Sequence, residues 1–339
     1  MQAAEQGAVL EDVRQSARLI FDIVSPELEL VEQEFERQAR SNIQVIAYLG
    51  EYLRGSGGKR VRPALTILSN YTVGGDGSNY GSIRMATVME FLHTATLVHD
   101  DVIDRAATRR NRPSINNEFG NQTAVLMGDW LYMSAFETSL AERSLAILDI
   151  LTAVTRKMTE GELLQLTLLG RTDISEEQYF DVIARKTAYL FSACCEIGAL
   201  LGKTDLEKQN LLRDYGMNLG MAFQLIDDVL DFTSTEDVLG KPAGADLIEG
   251  KVSLPLIVLL QREPEMRSAI QTVISEARYE TVSRAQLRDA LERTGALQMA
   301  FDRAIDYATA AQMALEGLPD SPYTEVLASI PAYIVERDR

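Results

Sequence analysis

The sequence predicts an all-α fold, a single-domain helical bundle around a central cavity, and three observations support it. Ser175–Gln178, Thr204–Glu207 and Ser283–Gln286 each have the Ser/Thr-x-x-Glu/Gln form, in which two side chains one turn apart exchange hydrogen bonds with the backbone at a helix start. No stretch alternates apolar and polar residues long enough to suggest a sheet. Two clusters of one form, Asp100-Asp101-Val102-Ile103-Asp104 and Asp227-Asp228-Val229-Leu230-Asp231, sit in apolar runs that read as helix interiors. Clusters so alike are expected to face one cavity, so residues 1–339 are read as one domain.

In chain order, Gly57-Gly58-Lys59-Arg60-Val61-Arg62-Pro63 reads as a loop entering a helix. Its glycines permit close backbone approach, and Pro63 suits a first helical turn. Lys59 and Arg62 are three apart and can share the helix-start face, where the dipole also favours an anion. Residues 73–82 (VGGDGSNYGS) are too polar and glycine-rich to pack and read as a loop. The next helix carries His93, a candidate ligand two turns before Asp100, whereas His99 directly precedes Asp100 and points elsewhere. Arg109 and Arg110 follow; a guanidinium fork fits phosphate oxygens in pairs. Lys186-Thr187, Lys241 and Lys251 are further cations downstream, and residues 240–246 (GKPAGAD) form a second loop, a candidate lid. Cys194 and Cys195, adjacent in an apolar segment, read as small core residues of a reduced compartment.

Residues i and i+4 of a helix share a face, so Asp100 and Asp104 are expected to aim at one point, as are Asp227 and Asp231. Like charges at that spacing repel unless protons or cations intervene. Hard divalent cations meet that need, because Mg²⁺ is held by one or two carboxylates together with substrate phosphates. A solvated acidic face has no need of flanks such as Leu97, Val98, Val102 and Ile103, or Leu225, Ile226, Val229 and Leu230. The combination points to an Mg²⁺–diphosphate site. The net charge of −17 argues against nucleic acid. Bound cations invert the local sign, so a globally acidic chain can still take an anionic substrate at one point.

These residues resemble the trans-isoprenyl diphosphate synthase (polyprenyl synthetase) family, and most closely its long-chain members of the octaprenyl or solanesyl diphosphate type. The resemblance rests on GGKRVRP at 57–63, HTATLVHDDVIDRAATRRNRPS at 93–114, GDWLY at 128–132, Lys186-Thr187, FQLIDDVLD at 223–231, GKPAGADLIEGKVSLPLI at 240–257 and the terminal ERDR. It implies a fold of the isoprenoid synthase type and an allylic diphosphate held by three Mg²⁺ ions between the aspartate motifs. Asp100 and Asp104 are then the main metal ligands of the first motif and Asp227 of the second, with Asp231 behind it. Asp101, Asp228 and Asp231 would act through water or from the next layer. Arg109, Lys186, Lys241 and Lys251 would hold the allylic diphosphate, and Lys59, Arg62, His93 and Arg110 isopentenyl diphosphate. Thr187 and Gln224 would line the reacting centre, their oxygen dipoles turned to positive charge. The implied reaction adds isopentenyl diphosphate head-to-tail to a farnesyl or geranylgeranyl diphosphate primer, with diphosphate released.

In this family a Phe or Tyr four or five residues before the first aspartate closes the product pocket. Ala95 and Thr96 are small, which implies an open tunnel and a long-chain product. Three alternatives stay open. A short-chain synthase results if the tunnel closes lower down, and a non-catalytic partner subunit would be expected to have lost carboxylates or basic residues. A class I terpene cyclase is disfavoured by the second D-D-x-x-D and the intact Lys59–Arg62 region. The resemblance also implies a homodimer. No run approaches the ~20 apolar residues that span a bilayer, and the amino-terminal stretch lacks the features of a signal or transit peptide. A cytoplasmic protein is expected, with room for transient membrane contact at product release.

Overall fold

The structure, a computed structural model, describes residues 21–39, 43, 46, 48, 60–109, 112–234 and 244–336. Lys59, Arg110 and Lys241 lie outside the described residues. The fold is all-α. The first half contributes α1 (Ser25–Gln38), α2 (Val61–Thr72), α3 (Tyr80–Ile103), α4 (Ile115–Phe119), α5 (Asn121–Leu140) and α6 (Leu145–Leu168). Then come α7 (Glu176–Ile183), a π-helical turn (Ala184–Ala188), α8 (Tyr189–Leu201) and α9 (Leu206–Thr233). The remainder is α10 (Ala245–Ile248), α11 (Leu254–Arg262), α12 (Arg267–Glu276), α13 (Arg284–Arg293), α14 (Ala296–Met313) and α15 (Pro322–Glu336). Among the described residues the one strand pairing is a two-residue antiparallel ladder, β1 (Thr108–Arg109) with β2 (Arg112–Pro113), in which Arg109 faces Arg112.

Helix starts follow local chemistry. Ser175 and Ser283 form the expected capping boxes with Gln178 and Gln286. The third box is not made: α9 begins one residue later, because Asp205 accepts from the Lys208 N–H at 2.9 Å and a carboxylate is the better acceptor there. The loop read over residues 73–82 is shorter than expected. Asn79 caps α3 by accepting from the Ser82 N–H at 2.9 Å, so Tyr80 to Ser82 form its first turn. The second loop likewise ends early, since Ala245 and Asp246 open α10.

The core is one connected apolar cluster. α3 runs through it, touching α1, α2, α5 and α8, which explains why it is apolar on nearly every side. Met85, Met89, Phe91 and Leu92 are fully buried there, each stabilising by about 1.5–3 kcal/mol. α9 packs on α8 and α14, and small residues let these helices approach closely. A Cβ on Gly220 would lie 2.5 Å from the Ala188 Cα, so only glycine fits where α9 crosses the π-turn. Gly161 on α6 serves the opposite side of that turn, where a Cβ would meet the Arg185 Cβ at 2.6 Å. Cys194 and Cys195 are fully buried, and burial pushes both thiols up.

Candidate active site

Both aspartate motifs stand at carboxyl-terminal helix ends rather than in helix interiors. Asp100 is in the last turn of α3 and Asp104 is its cap, whose N–H still donates to the Asp100 carbonyl at 2.8 Å. Asp227 and Asp231 occupy the last two turns of α9, which Ser234 caps. A helix carries negative partial charge at this end, so carboxylates there are doubly unfavourable without cations. The site is built to attract positive charge.

The cations in reach are already distributed among the acids. Lys251 spans to the first motif, its Nζ 3.0 Å from Asp104 Oδ2 and 2.7 Å from Glu249 Oε2. Burial works against the Lys251 ammonium, but Asp104, Glu249 and Asp246 outweigh it and raise its pKa. Arg109 Nε donates to Asp101 Oδ1 at 2.6 Å. Asp101 is 2 % exposed, and burial keeps its carboxyl above the usual range despite that partner. Lys186 Nζ lies 2.5 Å from Glu162 Oε2 and 2.6 Å from Gln165 Oε1, both on α6. Asp100 is raised to about 6, chiefly by burial, with Glu162 and Asp104 adding to the rise while Lys186 and Arg109 oppose it.

The Lys186-Thr187 pair sits in the π-turn, and this places the two residues toward different motifs. Lys186 acts on Asp100, while the Thr187 hydroxyl donates to Gln224 Oε1 at 2.8 Å. Gln224 is one turn before Asp228 and donates from Nε2 to Asp228 Oδ1 at 2.9 Å. A π-turn inside a helix is frequent at functional sites. Here it joins the end of α3 to the end of α9.

The second motif does not present all three carboxylates alike. Asp227 keeps partial exposure, whereas Asp228 and Asp231 are buried. Asp228 faces protein, its other oxygen accepting from the Tyr179 hydroxyl at 2.7 Å. Burial, with Asp246 and Asp227 adding, raises Asp228 to about 7. The backbone carbonyl of Asp231 accepts from the Gly244 N–H at 2.8 Å and from Arg284, which also caps the carbonyls of Phe232 and Ser234.

The expected basic face at the start of α2 is held by a residue that the spacing argument passed over. Arg60 caps α2 in the left-handed conformation (φ 47°) and pairs with Glu32 and, at 2.6 Å, with Glu90 of α3. Glu90 lies one turn before half-buried His93 on the same face, so this pair sets Arg62 and His93 on neighbouring helices. The Arg62 guanidinium also stacks over the Phe191 ring at 4.9 Å. Farther along α3, Ala95 has no exposed surface, whereas Thr96 is partly exposed and turns its hydroxyl to the His93 carbonyl at 2.7 Å. Of the two, Thr96, one turn before Asp100, is the one with exposed surface. Sequence reasoning also passed over Tyr179, Glu162 and Gln165. Tyr179 is seven residues before Lys186, and Glu162 and Gln165 are three apart among leucines, so helical spacing was the available signal.

Among the described residues no three His, Cys, Asp or Glu side chains gather tightly enough to hold a metal alone. The donor set suits a hard cation that takes its remaining oxygens from a phosphate ligand.

The family model for polyprenyl synthetase matches residues 43–292. The chain is similar to octaprenyl diphosphate synthase of Escherichia coli (strain K12), at 39% identity over 89% of this chain and 93% of that protein. It is also similar to a short chain isoprenyl diphosphate synthase of Methanothermobacter thermautotrophicus, at 33% identity over 94% of this chain and 99% of that one. A polyprenyl synthase of Caulobacter crescentus CB15, solved with calcium and isoprenyl diphosphate, superposes with a TM-score of 0.90 at 35% identity, covering 95% of this chain and 98% of its own.

Proposed function

The chain belongs to the polyprenyl synthetase family and is a trans-prenyltransferase, and we propose that it extends an allylic diphosphate with isopentenyl diphosphate to a long-chain all-trans polyprenyl diphosphate. The observation that carries this reading is the pair of helix ends, each bearing aspartates, joined through the Lys186-Thr187 π-turn. Asp100 and Asp104 with Asp227 would hold Mg²⁺, with Asp231 behind, and with diphosphate oxygens completing each shell. When bound, such ions neutralise charge developing on the diphosphate leaving group.

The chain's own groups do the rest. Lys186, Lys251 and Arg109 exchange their carboxylate partners for diphosphate oxygens as metal ions take over those carboxylates. Lys241 joins them in this reading. Arg62 and His93, with Lys59 and Arg110, orient isopentenyl diphosphate. The Thr187 hydroxyl oxygen faces the allylic carbon as the carbon–oxygen bond to diphosphate breaks. The isopentenyl double bond then attacks that carbon, and a proton is lost to the departing diphosphate. Such a reaction requires that water be kept from the site, since it would otherwise capture the cation. The small, partly exposed Thr96 supports a tail that elongates past it from a farnesyl or geranylgeranyl primer. A short-chain product is the second reading, favoured by the likeness to the Methanothermobacter thermautotrophicus enzyme.

The reading includes a homodimer. One face of α5 packs on α3, and the other leaves Leu126, Met133 and Leu140 exposed at seven-residue spacing, with Asp129 and Glu137 beside them. A stripe of that kind is expected to be covered in the assembly. It further includes a cytoplasmic protein that touches a bilayer only to release product. Among the described residues no helix is long and apolar enough to cross a membrane.

Chelation tests the metal requirement. Incorporation of labelled isopentenyl diphosphate should stop in EDTA and return when Mg²⁺ exceeds the chelator. Full activity in EDTA would contradict the aspartate assignment.

A further inference from the structure

Four side chains from three elements form a directional chain behind the reacting centre. The Tyr179 hydroxyl of α7 donates to Asp228 Oδ2 at 2.7 Å, and the Gln224 amide of α9 donates to Asp228 Oδ1 at 2.9 Å. With its nitrogen committed to the carboxyl group, Gln224 has its oxygen left over, and the Thr187 hydroxyl of the π-turn donates to that oxygen at 2.8 Å. Tyr179 and Asp228 are 6 % and 5 % exposed, so water does not compete for these bonds.

We propose that Tyr179 and Asp228 are positioning residues that fix the polarity of this chain, so that Thr187 offers the reacting centre its oxygen lone pairs rather than its proton. A hydroxyl has one proton and two acceptor lobes. Because the Thr187 proton is spent on Gln224, the lobes are what remains for a ligand. A cationic allyl group gains from lone pairs and is repelled by a proton. Asp228 imposes this order because both of its oxygens accept here, Oδ2 from Tyr179 and Oδ1 from the Gln224 amide. Tyr179 holds the carboxyl group in place from the far side. Removing the Tyr179 hydroxyl leaves Asp228 and Gln224 free to turn, and the polarity at Thr187 is lost without any change in the cationic residues that bind diphosphate.

This inference rests on the proposed prenyl transfer, and a double-mutant cycle separates the two. Tyr179→Phe should lower kcat about tenfold, the worth of one oriented hydrogen bond, with KM for both diphosphates changed less than about twofold. In a Thr187→Val background, where the chain has no terminus, Tyr179→Phe should cost less than about a further twofold. A second cycle with Gln224→Leu, which cuts the chain at its middle, should give the same silence and guards against a folding defect in either partner. Full additivity in both cycles, or a raised KM with kcat unchanged, overturns the positioning role. An active parent whose Tyr179→Phe variant is indistinguishable from it rejects the inference alone. A parent inactive with every allylic primer rejects the functional reading and this inference with it.

Discussion

The Asp100 carboxyl shows how burial and function pull against each other at a single residue. Burial raises it to about 6, so the folded chain binds that proton more tightly than the unfolded chain, where aspartate titrates near its ordinary value. Its contribution to stability is therefore fully present below about pH 4 and lost as pH rises through about 6. Asp100→Asn is expected to raise the thermal midpoint at about pH 8 in EDTA, to leave it unchanged at about pH 4, and to remove turnover. Equal midpoints at both pH values would count against the burial account, and normal turnover against the metal assignment. The spacing of both motifs was legible in the sequence because i and i+4 residues share a helix face. What it did not reveal was that Asp228 points into protein, because the facing of a helix is decided by neighbours such as Tyr179, forty-nine residues away.

Among the elements, the π-turn organises the site, since it turns Lys186 toward Asp100 and Thr187 toward Gln224. It persists because Gly161 and Gly220 let α6 and α9 close on it from two sides. Gly220→Ala puts a methyl 2.5 Å from the Ala188 Cα. The expected cost is about 1–3 kcal/mol of stability in denaturant titration, the usual penalty for overpacking. Activity should fall with it, because the turn must shift. Unchanged stability and rate would show that the crossing has slack. Elements with local causes were readable in advance: the capping boxes at Ser175 and Ser283 contain both partners within four residues. The π-turn has no such local signature. Its causes lie on two other helices, and the Thr204 box failed because Asp205, next to it, supplied a stronger acceptor.

For the whole molecule, the all-α class follows from patterns spread along the chain and so was readable without coordinates, whereas the place of both aspartate motifs at helix ends was not. The outward stripe on α5 was not, because apolar periodicity cannot say which of two faces with apolar residues meets the core. Leu126→Glu combined with Met133→Glu should convert a dimer to a monomer by light scattering, since both side chains are mostly exposed in the single chain. A dimer that persists in that variant places the interface elsewhere. The central claim is that these helix ends build a long prenyl chain. The most direct measurement incubates the protein with Mg²⁺, labelled isopentenyl diphosphate and farnesyl diphosphate, and resolves the dephosphorylated products by length. A ladder that ends near eight isoprene units, as the name of the Escherichia coli relative describes, is the predicted result. No elongation of farnesyl, geranylgeranyl or any other allylic primer would contradict it.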